Sequence, residues 1–495
     1  MTTAEQSDSS MPLEEASIAE LHTAMKAGKL TAQALVRHYS ERISALDRQG
    51  AQLSAILTLN PEALAEAAQH DAAIQSSASL LPLHGIPVLV KDNVDTAGLQ
   101  ASAGSRCLEG HVPEQDAFLI RRLKAAGAIL LAKTNLHEFA CSGETFSSLG
   151  GQTRNPYDLS RTPGGSSGGT GVGVAAGFGT IGIGTDTINS VRSPASACNL
   201  VGLRPTLGLV SRAGIVPFGL TQDTAGTITR SVADTARVLD VIAGSDPDDA
   251  ATANADRNRP KTYTAFLDAD GLRGARIGVL TSLFGSKDIH RETNAVIALA
   301  LEVMREQGAT LIEIEESIDT AALLEEVSVH MHEVERDLDS YLCRLPAALD
   351  VHSLQDVIAD GRFHPGIEAT LRRAVTLSPD GTDYQARLDL QQALRERMTG
   401  LMNTHCLNAF AFPHQKQLVA PIGQVQVERN GVLAAVTGFP GLVVPAGFSP
   451  ATATAPLGVP VGIELVARPF EEPVLIRLGY AFEQATRFRR PPALP

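Results

Sequence analysis

Tryptophan is absent from this 495-residue chain, and aromatic residues make up only 4% of it. Stacking platforms of the kind that single-stranded nucleic acids need are therefore disfavoured. Positive charge is also in deficit: 41 Lys and Arg face 55 Asp and Glu, a formal net charge of -14. That balance opposes nonspecific binding to nucleic acid or anionic lipid and predicts a small or neutral molecule as partner. Cysteine is scarce: Cys107, Cys141, Cys198, Cys343 and Cys406 stand without paired spacing. An odd count of this kind predicts free thiols in a reducing compartment. The opening MTTAEQSDSSMPLEEAS has neither a basic start nor an apolar run, so no signal peptide is expected. Long apolar runs are missing as well; the existing ones are short or broken by glycine, which excludes a membrane span. The expectation is a cytoplasmic protein, loosely held over residues 1–15, acting as a monomer or homodimer.

What is present is an ordinary globular balance, 44% apolar and 19% charged, with enough chain for a large core. Ser17 with Glu20 predicts a capping box before a short helix that Gly28 ends. Thr31 starts a second helix with Leu35, Tyr39, Ile43 and Leu46 on one face, and Asn60-Pro61 opens a third. Pro82 to Asp95 reads as a turn feeding a β-branched strand that ends at Lys91. From the residues alone, Lys91 is either snorkelling at a strand end or buried; burial would lower its pKa and suit it to act as a base. A helix with Leu119, Ile120 and Leu123 then precedes the short strand of AGAILLAKTN.

The most unusual stretch is Gly164 to Arg192, GGSSGGTGVGVAAGFGTIGIGTDTINSVR. Its glycines permit positive φ and close backbone approach, at an entropic cost that ordinary packing has no reason to carry. A flexible linker lacks the apolar run from Val172 to Ile183, which reads as a buried helix followed by a strand. A phosphate loop lacks the GxxxxGK[ST] spacing and its lysine. A Ser-His-Asp hydrolase is unsupported, because GxSxG is missing around Ser190.

GGSSGG, then GTDT, then Ser190 followed by Val-Arg, together with the upstream GIPVLVKDNVDTAG, are similar to the amidase signature family. The resemblance runs from about residue 17 to 250 and returns from about 430 to 486. SRAGIVPF and TQDTAG lie nearest in wording to its peptide amidase and fungal-type amidase branch. It implies a Ser-cis-Ser-Lys triad, with Ser190 as nucleophile, Ser166 as bridging serine after a cis Gly165-Ser166 peptide, and Lys91 as base. Such a triad answers a chemical need, since an amide requires an activated attacker and a proton donor for its leaving nitrogen. The main-chain N–H groups of Thr187, Ile188, Asn189 and Ser190 are then expected to form the oxyanion hole. In the family the loop after the AGAILLAKTN strand, here His137 to Ser147, lines the acyl side of the pocket; Ala140, Cys141 and Ser142 are the expected wall residues. Ser167 is expected at the substrate too. Cys141 has only His137 as a conceivable activator, so a packing or pocket role is expected of it.

The chain departs from the family at Ile188-Asn189, where glycine is usual. Asn tolerates a left-handed backbone and Ile does not, so either Ile188 keeps negative φ or the hole is narrowed. Asp186 and Arg192 are expected to form a salt bridge holding the turn, and Ser193 and Ser196 to be structural. Gln222-Asp223-Thr224 is expected near the pocket rim, before a helix over 229–243.

The region 254–404 matches the family weakly. It contains a βαβ-like unit, Arg276–Leu280, Glu292–Gln307 and Thr310–Ile314, followed by helices over 324–345 and 384–402. It is expected to be largely helical, to cover the site and to set specificity. His330 and His332, at i and i+2, point to different sides and read as solvated rather than metal-binding. Phe410–Pro413, Ala434–Phe448 and Val459–Ala467 read as the last strands. The expected architecture is one α/β domain over 16–495, a mixed sheet surrounded by helices. Its catalytic core is expected at about 80–250 and 405–486. The function implied is hydrolysis of a carboxylic amide through an acyl-enzyme, with possible ester or carbamate side activity and no metal or cofactor. The glutamine-hydrolysing chain of a tRNA-dependent amidotransferase shares the signature, and a non-enzymatic binding protein would not need Lys91, Ser166 and Ser190 intact.

Overall fold

β-branched and apolar runs bounded by glycine and proline turns become thirteen strands among residues 12–76 and 80–494, which the computed structural model describes. They are β1 (Ile56–Leu59), β2 (Ile86–Lys91), β3 (Ala128–Thr134), β4 (Phe146–Ser147), β5 (Gly151–Gln152), β6 (Ile181–Asp186) and β7 (Val201–Arg204). There follow β8 (Thr224–Thr229), β9 (Arg276–Leu280), β10 (Thr310–Ile314), β11 (Ala409–Pro413), β12 (Gly441–Phe448) and β13 (Pro460–Val466). β4 and β5 make a small ribbon. The other strands form one mixed 11-stranded sheet in the order β1-β3-β2-β6-β8-β7-β12-β13-β11-β9-β10.

The central strands are buried along their whole length, as expected where helices cover both faces of a sheet. The capping box at Ser17 and Glu20 opens the helix Ile18–Lys26, and Thr31 caps Ala32–Leu46, which buries Leu35, Tyr39, Ile43 and Leu46. The helix Gly168–Ala175 packs tightly on the sheet. A Cβ added at Gly182 of β6 would stand 2.3 Å from Thr170 Cγ2, so the contact is open only to glycine. Among the described residues, no helix is long and apolar enough to cross a membrane.

The pairing of β2 with β6 positions the site. They run parallel, with Val88 opposite Ile181 and Val90 opposite Ile183, so their carboxyl ends, carrying Lys91 and Thr185, reach the same edge. Open α/β sheets take their ligands at that edge.

Two expectations change. The apolar run 324–345 is not one helix: a π-type turn, Leu323–Val327, and the helix His330–Leu342 are separated by an extended Ser328. The buried Gln222 accounts for the break, since its Oε1 accepts from the Ser328 hydroxyl and the Val329 N–H, both at 2.9 Å. Ala434–Phe448 begins as the helix Val432–Thr437, ended by Gly438 at φ 68, before β12 starts. Within 254–404 the strands expected at Arg276–Leu280 and Thr310–Ile314 are present. As β9 and β10 they extend the main sheet at one edge, and the covering helices come after residue 320. Of the expected loose N-terminus, residues 1–11 lie outside the described residues, while Glu15 is held by Arg489 at 2.7 Å.

Candidate active site

The glycine-rich stretch folds around one side-chain contact. Lys91 Nζ, at the end of β2 and fully buried, donates to Ser166 Oγ at 2.7 Å and to Thr185 Oγ1 at 2.6 Å. Burial pushes the amine down to about 7, against the pull of Asp186 and Asp223. A lysine so placed exchanges its proton near neutrality. The peptide bond Gly165–Ser166 is cis. Gly164, before it, has φ 72, a backbone conformation that favours glycine.

Ser190 lines a cavity of about 310 Å³ and is 7% exposed. It stands in the turn between β6 and the helix Arg192–Ala197. The carbonyls of this turn are occupied: Arg192 donates to Ile188 O at 2.6 Å, Ser193 N–H to Asn189 O at 2.7 Å, and Ser167 N–H to Ser190 O at 3.1 Å. Its N–H groups are not. Those of Thr187, Ile188, Asn189 and Ser190 meet no acceptor among the described residues, and all four residues line the cavity. Free donors in series beside a serine form a receptor for developing negative charge. Ile188 and Asn189 leave their N–H groups free without positive φ, so the departure from glycine does not strain the turn.

A buried ion cluster beneath the turn holds it in place. Arg192 bonds Asp186 at 3.0 Å, as the sequence predicts, and also binds Glu464; Arg204 reaches Asp186 at 2.9 Å, and His414 Nδ1 lies 2.6 Å from Glu464. Burial works against the Asp186 carboxylate, yet Arg192 and Arg204 outweigh it and hold its pKa well below the usual range. Asp223 accepts from the Thr187 hydroxyl at 2.6 Å and from the Phe218 and Gly219 N–H groups. It braces the turn from behind, and Gln222 ties the turn's support to the covering helices.

Ala140, Cys141 and Ser142 stand in the cavity wall, where the left-handed Phe139 (φ 50) and Ala140 (φ 59) kink the loop. Burial pushes the Cys141 thiol well up, so it offers no thiolate. Ser167 does not reach the cavity wall. Its Oγ is bonded to the Thr185 carbonyl at 3.2 Å and accepts the Thr185 N–H at 3.3 Å, which turns it inward as a brace of β6. His330 and His332 both line the cavity rather than the outer surface, His332 buried and His330 part-exposed, and burial pushes His330 down to about 3. Among the described residues no group of His, Cys, Asp and Glu is placed to hold a metal ion.

Several residues of the site carry no pattern that sequence reasoning could single out. Thr185 sits within the GTDT motif, beside the more conspicuous charge of Asp186. His414, Arg429 and Glu464 lie more than two hundred residues along the chain, and only the folded arrangement brings them to the site.

The family described as Amidase matches residues 34–476. A peptide amidase from Stenotrophomonas maltophilia has a solved structure that superposes with a TM-score of 0.88 at 38% identity, covering 98% of this chain and 99% of that one. The A chain of the glutamyl-tRNA(Gln) amidotransferase of Chloroflexus aggregans is 36% identical, over 96% of this chain and 97% of its own. A protein of Arabidopsis thaliana named as a probable amidase is 34% identical, over 98% and 92%.

Proposed function

Because the chain belongs to the amidase family and is an amidohydrolase, we propose that it cleaves a carboxylic amide through a Ser190 acyl-enzyme. One observation carries this reading: a lysine buried to a pKa of about 7 and bonded to Ser166 at 2.7 Å, beside the turn that carries Ser190. As neutral amine, Lys91 takes the Ser166 proton while Ser166 takes that of Ser190, and Ser190 Oγ bonds to the amide carbon. The oxyanion formed is received by the N–H groups of Thr187, Ile188, Asn189 and Ser190. On collapse the C–N bond breaks, and the proton returns from Lys91 through Ser166 to the leaving nitrogen, which departs as ammonia or amine. Water then attacks the acyl carbon by the same relay in reverse, releasing the acid and free Ser190.

The likeness to the peptide amidase favours a hydrolase that works alone on small amides. The likeness to an amidotransferase chain favours glutamine as the amide and partner chains as the setting. Ile188-Asn189 and the net charge of -14 support the free hydrolase. The five unpaired cysteines fit the cytoplasm. The deciding experiment follows products by mass spectrometry from primary amides, peptide amides, anilides, carbamates and glutamine, comparing wild type with Ser190→Ala. Turnover that vanishes in the variant supports the serine mechanism, and turnover that persists removes it. Reaction with glutamine alone, or only after partner chains are added, transfers the assignment to the amidotransferase.

A further inference from the structure

The arginines of the cavity are not equivalent. Arg373 is paired with Glu325 at 3.0 Å. Arg387 is paired with Asp383 at 2.8 Å and donates to the carbonyls of Glu325 and Ser328. Arg429, also in the wall, has neither an ion pair nor a side-chain hydrogen bond among the described residues. The carboxylate that acts on it is Glu144, which is engaged elsewhere. Glu144 Oε1 accepts the Gln426 N–H at 3.0 Å, while Oε2 accepts the Gly143 N–H at 3.2 Å and lies 3.4 Å from His137 Nδ1. Arg429 is part-exposed, so its guanidinium faces the cavity without a protein counter-charge, and a ligand carboxylate arriving there gains a charge-assisted pair for which no internal carboxylate competes.

Arg429 also stands close to the reacting centre. A Cβ built on Gly143 would lie 3.1 Å from Arg429 Nη1, and one built on Gly165 would lie 2.8 Å from the Gly143 carbonyl carbon. One residue thus separates the guanidinium from the Gly165–Ser166 peptide. The cavity holds no free carboxylate to balance it, since Glu325 is taken by Arg373. A molecule of net charge -14 has kept a positive pocket.

We infer that the amide substrate carries a carboxylate, received by the Arg429 guanidinium. Resting on the amide-hydrolase reading above, this narrows the substrate class to monoamides of dicarboxylic acids. Arginine suits the task because its planar fork meets a carboxylate through two parallel hydrogen bonds. With no free carboxylate in the wall to receive an ammonium group, an acidic monoamide is preferred over a zwitterionic amino-acid amide such as glutamine.

The test separates binding from turnover. Calorimetry on the Ser190→Ala protein compares malonamate, succinamate, glutaramate and adipamate with propionamide, butyramide, valeramide and hexanamide, their counterparts with methyl in place of carboxylate. At least one acid is expected to bind about ten- to a hundredfold more tightly than its neutral counterpart, the range of a charge-assisted pair. Arg429→Gln in the same background should abolish the preference, and Arg429→Lys should keep part of it. In the wild type the same acid should be favoured through KM, and glutaramate should exceed glutamine. Equal binding of acid and neutral amide, binding of neither, or a preference that survives Arg429→Gln overturns the inference. The first of these comparisons leaves Arg429 unaltered, so it holds even if a variant fails to fold. Selective binding of an acid with no turnover by wild type would retain the anion site and remove the hydrolase reading. Turnover of neutral amides without preference would do the opposite.

Discussion

Thr185 Oγ1 lies 2.6 Å from Lys91 Nζ, as close as the hydroxyl of Ser166 at 2.7 Å. Thr185 Oγ1 accepts the Asn93 amide as well, at 3.1 Å. Lys91 is therefore held from two sides, by a serine on the glycine-rich stretch and by a threonine on β6. With Thr185 fixed in the sheet, the flexible lysine stem has one end point.

Thr185→Val removes this acceptor at nearly constant shape. We expect kcat to fall about tenfold, within the range of lost proton-transfer geometry, with KM little changed. The midpoint of the acid limb in the pH–rate profile should move down, because an acceptor that favours the ammonium form is gone. Thr185→Ser should restore both. Loss of thermal stability with an unmoved midpoint would mark Thr185 as structural only.

Lys91 also sets a pH signature. The proposed mechanism needs the neutral amine, so kcat/KM for a neutral amide should rise with unit slope through a midpoint near 7, the value to which burial lowers this group. The unfolded chain keeps its lysine proton up to about 10.5 and the folded one does not. Between pH 7 and 10.5 folding therefore releases a proton, and stability rises with pH across that window. Lys91→Met should abolish activity, by about a thousandfold or more, and flatten this part of the stability curve in denaturant titrations.

The cluster under the turn predicts an opposite window. Asp186 and Glu464 are held below their usual values, against burial, by Arg192 and its neighbours. Their stabilisation is present above the unfolded carboxylate range, near about 4, and is lost as pH falls through the folded values. Glu464→Gln takes a charge from the centre of the cluster and should cost about 3–5 kcal/mol at pH 7, read by urea denaturation. A loss below about 1 kcal/mol would mean that Arg204 and Asp186 alone hold the turn.

Ile188 takes the place of the family's glycine and belongs to a buried apolar cluster that includes Leu283, Leu433 and Phe439. Its φ is not positive, so Ile188→Gly relieves no backbone strain. The variant should lose about 2–4 kcal/mol of stability through the cavity left behind, with no gain in kcat. A faster variant would show that the side chain narrows the oxyanion site.

Capping residues and period-two or helical spacing make the helices Ile18–Lys26 and Ala32–Leu46 and the strands around Lys91 legible in the sequence. Local chemistry writes those features. The break at Ser328 is not legible, because it depends on Gln222, a residue that meets it only in the folded chain. Val432–Thr437 differs from expectation for a related reason: its β-branched and small apolar residues suit either element, and Gly438 decides only once the turn is formed. In the site, the resemblance brings Lys91, Ser166 and Ser190 together. Nothing in the linear pattern points to Thr185, to the inward turn of Ser167 or to the unpaired Arg429, since each is defined by what its neighbours leave bonded or free.

The sheet order carries a consequence for synthesis. The turn bearing Ser190 is braced by Glu464 of β13, and β7, beside it, is completed by pairing with β12. Domains form as their strands emerge, and distant pairings wait for the later partner. On the proposed mechanism, a ribosome-bound chain that has released residues 1–400 holds Ser190, Ser166 and Lys91 without the anchor of the turn, and is expected to stay silent until β12 and β13 have been made.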